Sequence, residues 1–585
     1  MNFPSVQKLL SDFLSVAKRF PLELLAALTG TIAGMAMVRA DSVEDPMHQL
    51  VLMCSNLALT LFLSVTLFCE SHRFTAKVRW LLNAVALAMV LLLAYGLHPA
   101  SLEVSIIRFL FVAAAFHLLV SFAPFIYAGS MDGFWEYNKT IFLRILLSGL
   151  YSGVLYVGIA IALSATDVLF DLKIPGEFYG YTFCFIAGIF NTVFFLAGIP
   201  LDWKAMEEPR SYPKGLKMFT QYVLVPLASV YLIILLAYEI KIVTEWELPK
   251  GIVTSLVMGY AVYGMLSLLL VHPIRFDEGN QWIRTFARWF YVLLLPLIAL
   301  LGVAIGVRID QYGVTESRYF IVLIGIWLTG VTFYFLFSKL KNIKVIPVTL
   351  CIALLAATWG PQSAPAVSYR SQINRFVEFF KNNASFENGK IIPLKTPTTS
   401  DEADELLRFL LNRYGIQAIQ PLTDTNLAEL TAPADTLQNR YDMSWKRYQL
   451  IRDHFNIEPA YLATERRHFS VYLQDRQPLS LRGYDSLAYV YYPDVNINDK
   501  LSVEVQDNRF MCYLGNQKMI FDLTETMGRI KSAQPERDAF VFGELTINDS
   551  TGHAQLIIRE MDFEKTDTGH LINRLNGILL MRFPN

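Results

Sequence analysis

A small set of polar side chains stands out because its members lie inside or beside long apolar runs, where an unpartnered polar group is costly. The set comprises Trp135, Asn138, Arg144, His117, Asn191, Asp167 and Asp171. Amide, guanidinium, imidazole and carboxylate groups at such positions can bind a polar substrate, relay a proton or hold a cation. The same groups can instead join neighbouring helices through hydrogen bonds, so the sequence leaves two interpretations open for each.

Three of these residues are weighed individually. His117 lies in the middle of an apolar run, and we expect a neutral imidazole bonded to a neighbouring helix, with a proton relay as the alternative. Asp167 and Asp171 lie in a loop between two apolar runs. We expect them to cap short turns there, and a metal or polar headgroup site is the alternative.

Arg144 and Asn191 each have two interpretations of their own. Arg144 lies about one turn inside an apolar run, from where it can extend to the membrane interface or pair with Asp132 or Glu136. Asn191 is expected to bond to a neighbouring helix first and to contact a substrate second. No nucleophile elbow, phosphate-binding loop, H-E-x-x-H sequence or zinc-type cysteine pair occurs in the chain, so we assign no catalytic residue, metal or cofactor.

Composition places the chain among membrane proteins, because 54% of its residues are hydrophobic and only 17% are charged. The net charge of −1 argues against nucleic acid as a partner, and the lipid bilayer is the predicted partner. Apolar runs that can cross about 30 Å of hydrocarbon recur about eleven times. They fall at 21–38, 49–69, 80–97, 105–128, 141–163, 179–200, 218–239, 252–272, 289–307, 319–338 and 345–360.

Lysine and arginine are concentrated in alternate loops between these runs, as expected when basic loops stay in the cytoplasm. Residues 1–20 belong to the basic set and are predicted to form an amphipathic helix in the membrane interface. The N-terminus is therefore predicted to be cytoplasmic. An odd number of spans within 21–360, the predicted membrane domain, would place the remaining chain outside the cytoplasm.

The apolar runs end near residue 360. Residues 361–399 are predicted to form a juxtamembrane helix and a linker, and residues 400–585 a soluble α+β domain. Ser400 is a predicted N-cap for a helix that ends at Tyr414. A fragment that begins near Thr399 is expected to fold without the membrane domain.

Strands are predicted after residue 469, where the hydrophobic period changes to two. An antiparallel meander with one buried face is expected, with strands centred on Val503, Cys512 and Phe521. A second hairpin is expected to pair one strand with another across 549–552. Its predicted partners are Val541, Leu545 and Ile547 with Ala554, Leu556 and Ile558.

Several short motifs occur in a characteristic order along the chain. They are Phe134 to Asn138, Arg144, Asp167 to Phe170, Gly198 to Pro200, Gly360-Pro361, Ser368 to Gln372, Asn388 to Lys390 and Gly483 to Asp485. This order resembles the bacterial membrane family numbered 4153 among domains of unknown function. The resemblance implies a bacterial inner-membrane protein with a multi-span domain and an extracytoplasmic tail. The family has no established activity, so it adds no catalytic residue.

Three function classes remain open from the sequence. A permease-like or channel-like protein would need a cavity lined by Asn138, Arg144, His117 or Asn191. A non-catalytic envelope protein would sense or assemble something, with other envelope proteins as partners of residues 400–585. A membrane-embedded enzyme ranks third, because no nucleophile and base can be named. Transport is ranked first, and a polar cavity that reaches the bilayer midplane would separate it from the scaffold.

Overall fold

A computed structural model shows the protein as two compact units, the first comprising Met1–Phe379 with Arg408–Asn426, and the second Phe380–Leu407 with Leu427–Asn585. The structure describes residues 6–39, 46–97, 102–126, 129–203, 206, 212–245, 252–436, 440–458, 468–473, 484–492, 496–497, 501–506, 508–514, 517–533, 539–542, 546–549, 554–566 and 569–582.

The first unit is helical. Its helices are α1 (Val6–Arg19), α2 (Pro21–Arg39), α3 (Pro46–Ser71), α4 (Ala76–Gly96), α5 (Leu102–Phe122), α6 (Met131–Phe170), α7 (Glu177–Phe185), α8 (Asn191–Ala197), α9 (Lys214–Phe219), α10 (Val225–Glu245), α11 (Ile252–Leu270), α12 (Gln281–Tyr312), α13 (Glu316–Phe337) and α14 (Val345–Ala356). Two further helices, α15 (Ala364–Asn382) and α16 (Asp401–Tyr414), contribute residues to both units.

Nine helical stretches among the described residues are long and apolar enough to cross a membrane, so the prediction of a polytopic helical protein is confirmed. The predicted number of about eleven is slightly too high. Two of the predicted runs correspond to shorter apolar helices, Thr254–Leu270 and Val345–Ala356. The second has 12 residues and rises only about 18 Å, which is less than the ~30 Å hydrocarbon core.

Helix α6 is much longer than the run predicted at 141–163. Its 40 residues extend about 60 Å, roughly twice the hydrocarbon thickness. The helix begins where the Ser130 hydroxyl accepts a hydrogen bond from Gly133 N at 3.0 Å. It ends at Asp171, whose φ of 49° places it in the left-handed region that terminates helices.

Two of the membrane-spanning stretches contain a widened π-helical turn. One turn, Ile186–Phe190, joins α7 to α8, and the other, Thr220–Leu224, joins α9 to α10. Pro226 follows the second turn and has no N–H to donate to the carbonyl of Tyr222, which accounts for the local widening. The first turn directly precedes Asn191, one of the predicted site residues.

Short helices open the second unit, and their boundaries follow the sequence signals. The Ser400 hydroxyl accepts a hydrogen bond from Ala403 N at 3.1 Å, so Ser400 caps α16 as predicted. Helix α16 ends at Tyr414 as predicted, because Gly415 has a φ of 72°. Three more helices lie within the described residues, namely α17 (Leu427–Thr431), α18 (Arg440–His454) and α19 (Thr524–Ala533).

The strands in the described part of the chain form four sheets. In chain order they are β1 (Phe386–Glu387), β2 (Lys390–Ile391), β3 (Thr398–Thr399), β4 (Ile457–Glu458), β5 (His468–Leu473), β6 (Ser486–Tyr492), β7 (Asn496–Ile497), β8 (Leu501–Gln506), β9 (Arg509–Leu514), β10 (Gln517–Asp522), β11 (Ala539–Phe542), β12 (Thr546–Asn548), β13 (Ala554–Thr566) and β14 (Gly569–Met581). The predicted meander is confirmed, because β8, β9 and β10 are antiparallel and Cys512 lies opposite both Val503 and Met519.

The second predicted hairpin is only partly correct. Ile547 pairs with Leu556 as expected, but Val541 lies in β11, which runs parallel to β5. The hairpin cannot continue to Val541, because β5 already occupies that edge of β13, with Ser470 opposite Asp562. Leu545 lies outside the described residues. The resulting larger sheet has the order β11-β5-β13-β14-β6, with β12 also paired to β13.

One apolar core joins the meander to the larger sheet. It includes Phe510 and Phe521 of the meander together with Leu556, Met561 and Leu575 of the larger sheet, all fully buried. The alternation along each strand therefore buries one set of side chains between the two sheets. Cys512 lies in this core, and burial raises the pKa of its thiol to about 12.

Candidate functional site

Trp135 and Tyr137 anchor the beginning of α6. Tyr137 is fully buried, and its hydroxyl donates to the carbonyl oxygen of Val120 at 2.9 Å. The indole Nε1 of Trp135 donates to the carbonyl oxygen of Leu269, in the last turn of α11, at 2.6 Å. The carbonyls at a helix C-terminus have no intrahelical partner, so Trp135 satisfies one of them and fixes α11 against α6.

Asn138 joins α6 to the end of α5. Its Oδ1 accepts from the Ser121 hydroxyl at 2.6 Å, and its Nδ2 donates to the carbonyl oxygens of Ser121 and Phe134 at 3.1 and 2.9 Å. These bonds use most of the capacity of the amide. Asn138 therefore holds the start of α6 against the end of α5 through hydrogen bonds.

Arg144 lies against the backbone of Gly198. A Cβ placed on Gly198 would lie 2.3 Å from the Cδ atom of Arg144, so a larger residue at position 198 would require the Arg144 side chain to move. Glu136, one of the two predicted partners, is instead bound by Lys139, whose Nζ lies 2.7 Å from its Oε2. The close approach of the Arg144 side chain thus explains why a small residue occupies position 198 in the motif Gly198 to Pro200.

His117 and Asn191 make different contacts. His117 is exposed on α5, and its Nδ1 lies 2.7 Å from the carbonyl oxygen of Ala113 in the same helix, not from a neighbouring one. Asn191 accepts from the hydroxyl of Ser152 on α6 at 3.2 Å, which is an interhelical hydrogen bond. The π-helical turn before Asn191 places its amide toward α6.

Asp167 and Asp171 both close the end of α6. Asp167 accepts from the backbone N–H of Ile174 at 2.7 Å, and Asp171 is the left-handed residue after the helix. Both geometries belong to turn capping. Within the described part of the chain, no group of three His, Cys, Asp or Glu side chains is arranged to hold a metal ion.

An ionic network joins α1, α3, α4 and the end of α8. Arg19 binds both carboxylate oxygens of Glu70, at 2.7 and 3.1 Å, and donates to the carbonyl oxygens of Ile199 and Pro200 at 3.0 and 2.8 Å. Arg79 lies 4.0 Å from Glu70. Such bidentate, charge-assisted bonds are the strongest polar contacts available to a protein. This cluster, the Arg19 network, fixes the surface helix α1 to the spanning helices.

Glu23 extends the Arg19 network into the first spanning helix. Its side chain is only 1% exposed, and its Oε1 accepts from the hydroxyl of Thr66 at 2.6 Å. Arg79 also donates to the Thr66 hydroxyl, at 3.4 Å. Every charged member of the network therefore has a polar partner, and the geometry favours a structural role.

A cavity of about 660 Å³ lies where α11 and α13 end and α12 begins. The loops 271–280 and 338–344 lie beside it. Its inner wall is apolar and includes Met265, Leu268, Leu295, Phe335 and Ile346. Four cationic side chains also line it: Arg275, Arg284, Arg288 and Lys341. We call it the basic cavity. In the part of the chain that the structure describes, none of these four cations has a carboxylate oxygen within salt-bridge distance.

His272 is the polar group that lies deepest in the wall of the basic cavity. Its side chain is 9% exposed, and neither ring nitrogen has a hydrogen-bond partner among the described residues. Burial, with a smaller contribution from the neighbouring Arg275, lowers the pKa of His272 to about 3. The imidazole is therefore neutral at physiological pH and offers one donor and one acceptor.

The rim of the basic cavity is held by two aromatic side chains. Tyr212 donates from its hydroxyl to the carbonyl oxygen of Leu270 at 2.6 Å, next to the carbonyl that Trp135 binds. The rings of Trp135 and Tyr212 lie 5.6 Å apart. Burial raises the pKa of Tyr212 to about 12, which keeps its hydroxyl a donor. The predicted site residue Trp135 thus positions the end of α11 without lining the cavity.

A smaller cavity of about 340 Å³ lies at the opposite ends of α11 and α13. Its lining includes Thr254 and Met258 of α11, Phe111 of α5, and Glu316 and Phe320 of α13. Glu316 is buried and accepts from the hydroxyl of Tyr414 at 2.5 Å. We call it the acidic cavity.

The helical segments between the two cavities are closely packed. Leu328 and Val331 of α13 and Tyr260 of α11 are buried there. The hydroxyls of Tyr260 and Thr332 have no hydrogen-bond partner among the described residues. Along α11, Met258 and Met265 are seven residues apart, which corresponds to about 10 Å along the helix axis.

None of the seven predicted site residues lines the basic or the acidic cavity. The cations of the basic cavity were visible in the sequence only as part of the basic loops that indicate orientation. A sharper signal was available, since basic loops follow both α11 and α13 and were predicted to lie on the same side of the membrane. Glu23 was also visible as a carboxylate inside an apolar run.

Comparison with known proteins gives one family and one relative. The family described as Domain of unknown function (DUF4153) matches residues 51–375. An uncharacterized protein of Pasteurella multocida, PM1469, is 25% identical over 220 residues, which are 37% of this chain and 36% of the relative. The chain therefore matches little more than a third of that relative's length. No solved structure shows significant similarity to the chain.

Proposed function

The chain belongs to the DUF4153 family, and on that premise we propose that it is a permease of a bacterial inner membrane. The two cavities are not the one expected from the sequence, since Asn138, Arg144, His117 and Asn191 line neither. The observation that carries the proposal is instead the position of the basic and acidic cavities at opposite ends of the same helices, α11 and α13. A protein that only anchors an envelope domain needs no such pair. In a permease, two cavities separated by a thin closed segment are the two ends of a substrate path.

The segment between the cavities supports this proposal. Tyr260 and Thr332 bury hydroxyls that lack partners among the described residues, although an unpaired buried polar group is destabilising. A substrate that passes through the segment would supply the missing hydrogen bonds. Pro296 lies inside α12, just beyond the deepest lining residue Leu295, and gives that helix a point at which it can bend.

The basic loops support an orientation in which the N-terminus and the basic cavity face the cytoplasm. The orientation requires both shorter apolar helices, α11 and the 12-residue α14, to complete a crossing. Residues 400–585 would then lie outside the cytoplasm, where they can contact other envelope proteins. Reporter fusions placed after Lys217 and after Asn585 test this orientation. We expect them to report opposite sides of the membrane, and two cytoplasmic reports would refute it.

Cysteine labelling tests the proposed path. Thr332→Cys is placed in a full-length protein whose five native cysteines are replaced by serine, and a membrane-impermeant maleimide is added to vesicles of both orientations. A permease that opens should expose this thiol to one side or both. The control is Leu294→Cys, equally buried on α12 but outside the lining of both cavities. If Thr332→Cys and Leu294→Cys are equally unreactive, the permease hypothesis fails and the scaffold hypothesis is preferred.

A further inference from the structure

We propose that the basic cavity binds an anionic amphiphile, a molecule with a phosphate or carboxylate headgroup and a long apolar tail. As the identity of a transported substrate, this inference rests on the proposed permease function. As a binding site, it stands on the geometry of the cavity alone. Three features of the cavity carry it, namely its charge, its depth and the state of His272.

The charge of the cavity selects an anion. Arg284, Arg288 and Lys341 are exposed to the cavity, and Arg275 is half-buried beside them. In the Arg19 network, by contrast, each arginine has a protein acceptor. Guanidinium groups bind phosphate and carboxylate through two parallel hydrogen bonds. Arg284 and Arg288, which line the same cavity and have no ion pair among the described residues, therefore form a site for such a headgroup.

The depth of the cavity selects a tail. Along α12 the lining residues Arg284, Arg288, Tyr291 and Leu295 recur every three or four residues and therefore form one face of the helix. The face runs for about 16 Å and changes from cationic to apolar within its first two turns. A free phosphate ion would fill only the cationic end. An acyl or isoprenoid chain would also cover the apolar end, where Met265 and Phe335 lie.

His272 supplies a neutral hydrogen-bonding group near the cationic end. It precedes Arg275 by one helical turn, and both its ring nitrogens lack partners among the described residues. A buried imidazole without partners is destabilising, and an ester or hydroxyl group of a lipid headgroup would satisfy it. The group therefore favours a headgroup that carries neutral oxygens beside its charge.

Basic loop residues are common on the cytoplasmic side of membrane proteins and bind anionic lipids weakly wherever they occur. The inference requires that the cations of the basic cavity bind an anionic lipid more tightly than basic loop residues elsewhere in the protein do. Lys77 and Lys214 provide the matched control, because both are exposed cations in predicted cytoplasmic loops but neither lines the cavity.

The experiment measures lipid retention by the full-length protein in a neutral detergent. Phosphatidylglycerol, phosphatidylcholine of the same chain length, and inorganic phosphate are titrated separately, and bound species are counted by native mass spectrometry. We expect phosphatidylglycerol to bind in about one-to-one ratio and more tightly than phosphatidylcholine. Inorganic phosphate that binds as tightly as the lipid would overturn the amphiphile assignment in favour of a free anion.

Variants locate the site. We expect Arg284→Gln with Arg288→Gln to weaken phosphatidylglycerol binding about tenfold or more, since each lost charge-assisted bond contributes at least that factor. Lys77→Gln with Lys214→Gln should leave it unchanged. If both double variants lost the same affinity for phosphatidylglycerol, general surface charge would explain the binding, and the proposed site would be refuted. The thermal unfolding midpoint of each variant is also measured. Lipid binding is compared only among variants that are folded at the temperature of the experiment.

The outcomes are separate from those of the cysteine-labelling experiment. Lipid binding with an unreactive Thr332→Cys would retain the site and reject transport. A reactive Thr332→Cys without selective lipid binding would retain the path and reject the amphiphile as its substrate.

Discussion

Two groups of cations in the helical unit show opposite chemistry. In the Arg19 network, Arg19 and Arg79 contact the carboxylate of Glu70 and backbone carbonyls. In the basic cavity, Arg284, Arg288 and Lys341 face open space with no carboxylate in salt-bridge distance among the described residues. Both groups lie at helix ends that are predicted, from the loop charges, to face the cytoplasm.

The difference indicates which polar groups hold the fold and which are available to a ligand. A charge buried with its partners contributes to packing, and its removal leaves other groups unsatisfied. A charge without a partner contributes little to folding, so its presence in a formed cavity is explained better by binding. Residue type alone cannot distinguish these cases, because both groups are built from the same arginine side chains.

The largest predicted effect is the loss of Arg19. Arg19→Ala removes four hydrogen bonds, leaves the Glu70 carboxylate half-buried and frees the carbonyls of Ile199 and Pro200. We expect a loss of about 3 kcal/mol in the free energy of unfolding, measured by denaturant titration in detergent. Lys18→Ala, at the exposed neighbouring position, is the control and should change stability by less than about 0.5 kcal/mol. Similar losses in both variants would show that the network does not hold α1.

A smaller effect is predicted for His272, and it depends on pH. The pKa of His272 is about 3 in the folded protein, against an ordinary value of 6.5. Between these two pH values, the imidazole is protonated in the unfolded chain but stays neutral in the folded protein. Stability from this group is complete above pH 6.5 and is lost progressively as pH falls toward 3. Between pH 7 and pH 5 we expect a loss of about 2 kcal/mol.

The pH effect is measured as the difference between the protein and His272→Gln, because other groups titrate in the same range. Glutamine keeps a donor and an acceptor but does not titrate. The unfolding free energy of the variant should fall less between pH 7 and pH 5. Parallel pH dependences would mean that His272 is protonated in the folded cavity, and the neutral hydrogen-bonding role would then be withdrawn.

Much of the architecture could be predicted because it depends on local pattern. Apolar runs predicted the spanning helices, Ser400 and Gly415 predicted the bounds of α16, and the period of two predicted the meander around Cys512. The long strand β14 and the parallel pairing of β11 with β5 were missed. The pairing of β11 with β5 depends on which distant strand occupies the edge of β13, and no local pattern encodes that choice. Strand β14 follows β13 directly, with Gly569 opposite Thr566, so its omission is a missed local hairpin.

The candidate site could not be predicted in the same way. Asn138 and Trp135 were chosen because polar groups at membrane depth are costly, but that cost is met by helix–helix hydrogen bonds to Ser121 and Leu269. The basic cavity forms where the ends of three consecutive helices, α11, α12 and α13, pack together. Periodicity within each helix does not show how their ends pack, so the cations were recognised only as loop charges. That a fragment beginning near Thr399 folds alone stays a prediction. Such a fragment would include Arg408–Asn426, which the structure assigns to the first unit.

The smallest predicted effect is the one that most sharply separates the two groups of cations. Arg284→Gln with Arg288→Gln removes two charges, as many as Arg19 and Arg79 provide in the Arg19 network, yet both side chains are exposed and form no ion pair within the described residues. We expect the free energy of unfolding, measured in neutral detergent without anionic lipid, to change by less than about 0.5 kcal/mol. Removing repulsion among four neighbouring cations would shift stability slightly upward. Addition of phosphatidylglycerol should then stabilise the unaltered protein more than the variant, since a ligand that binds only the folded state raises its stability. A loss comparable to that of Arg19→Ala, without lipid, would show that these arginines are structural and would remove the basis for distinguishing the basic cavity from the Arg19 network.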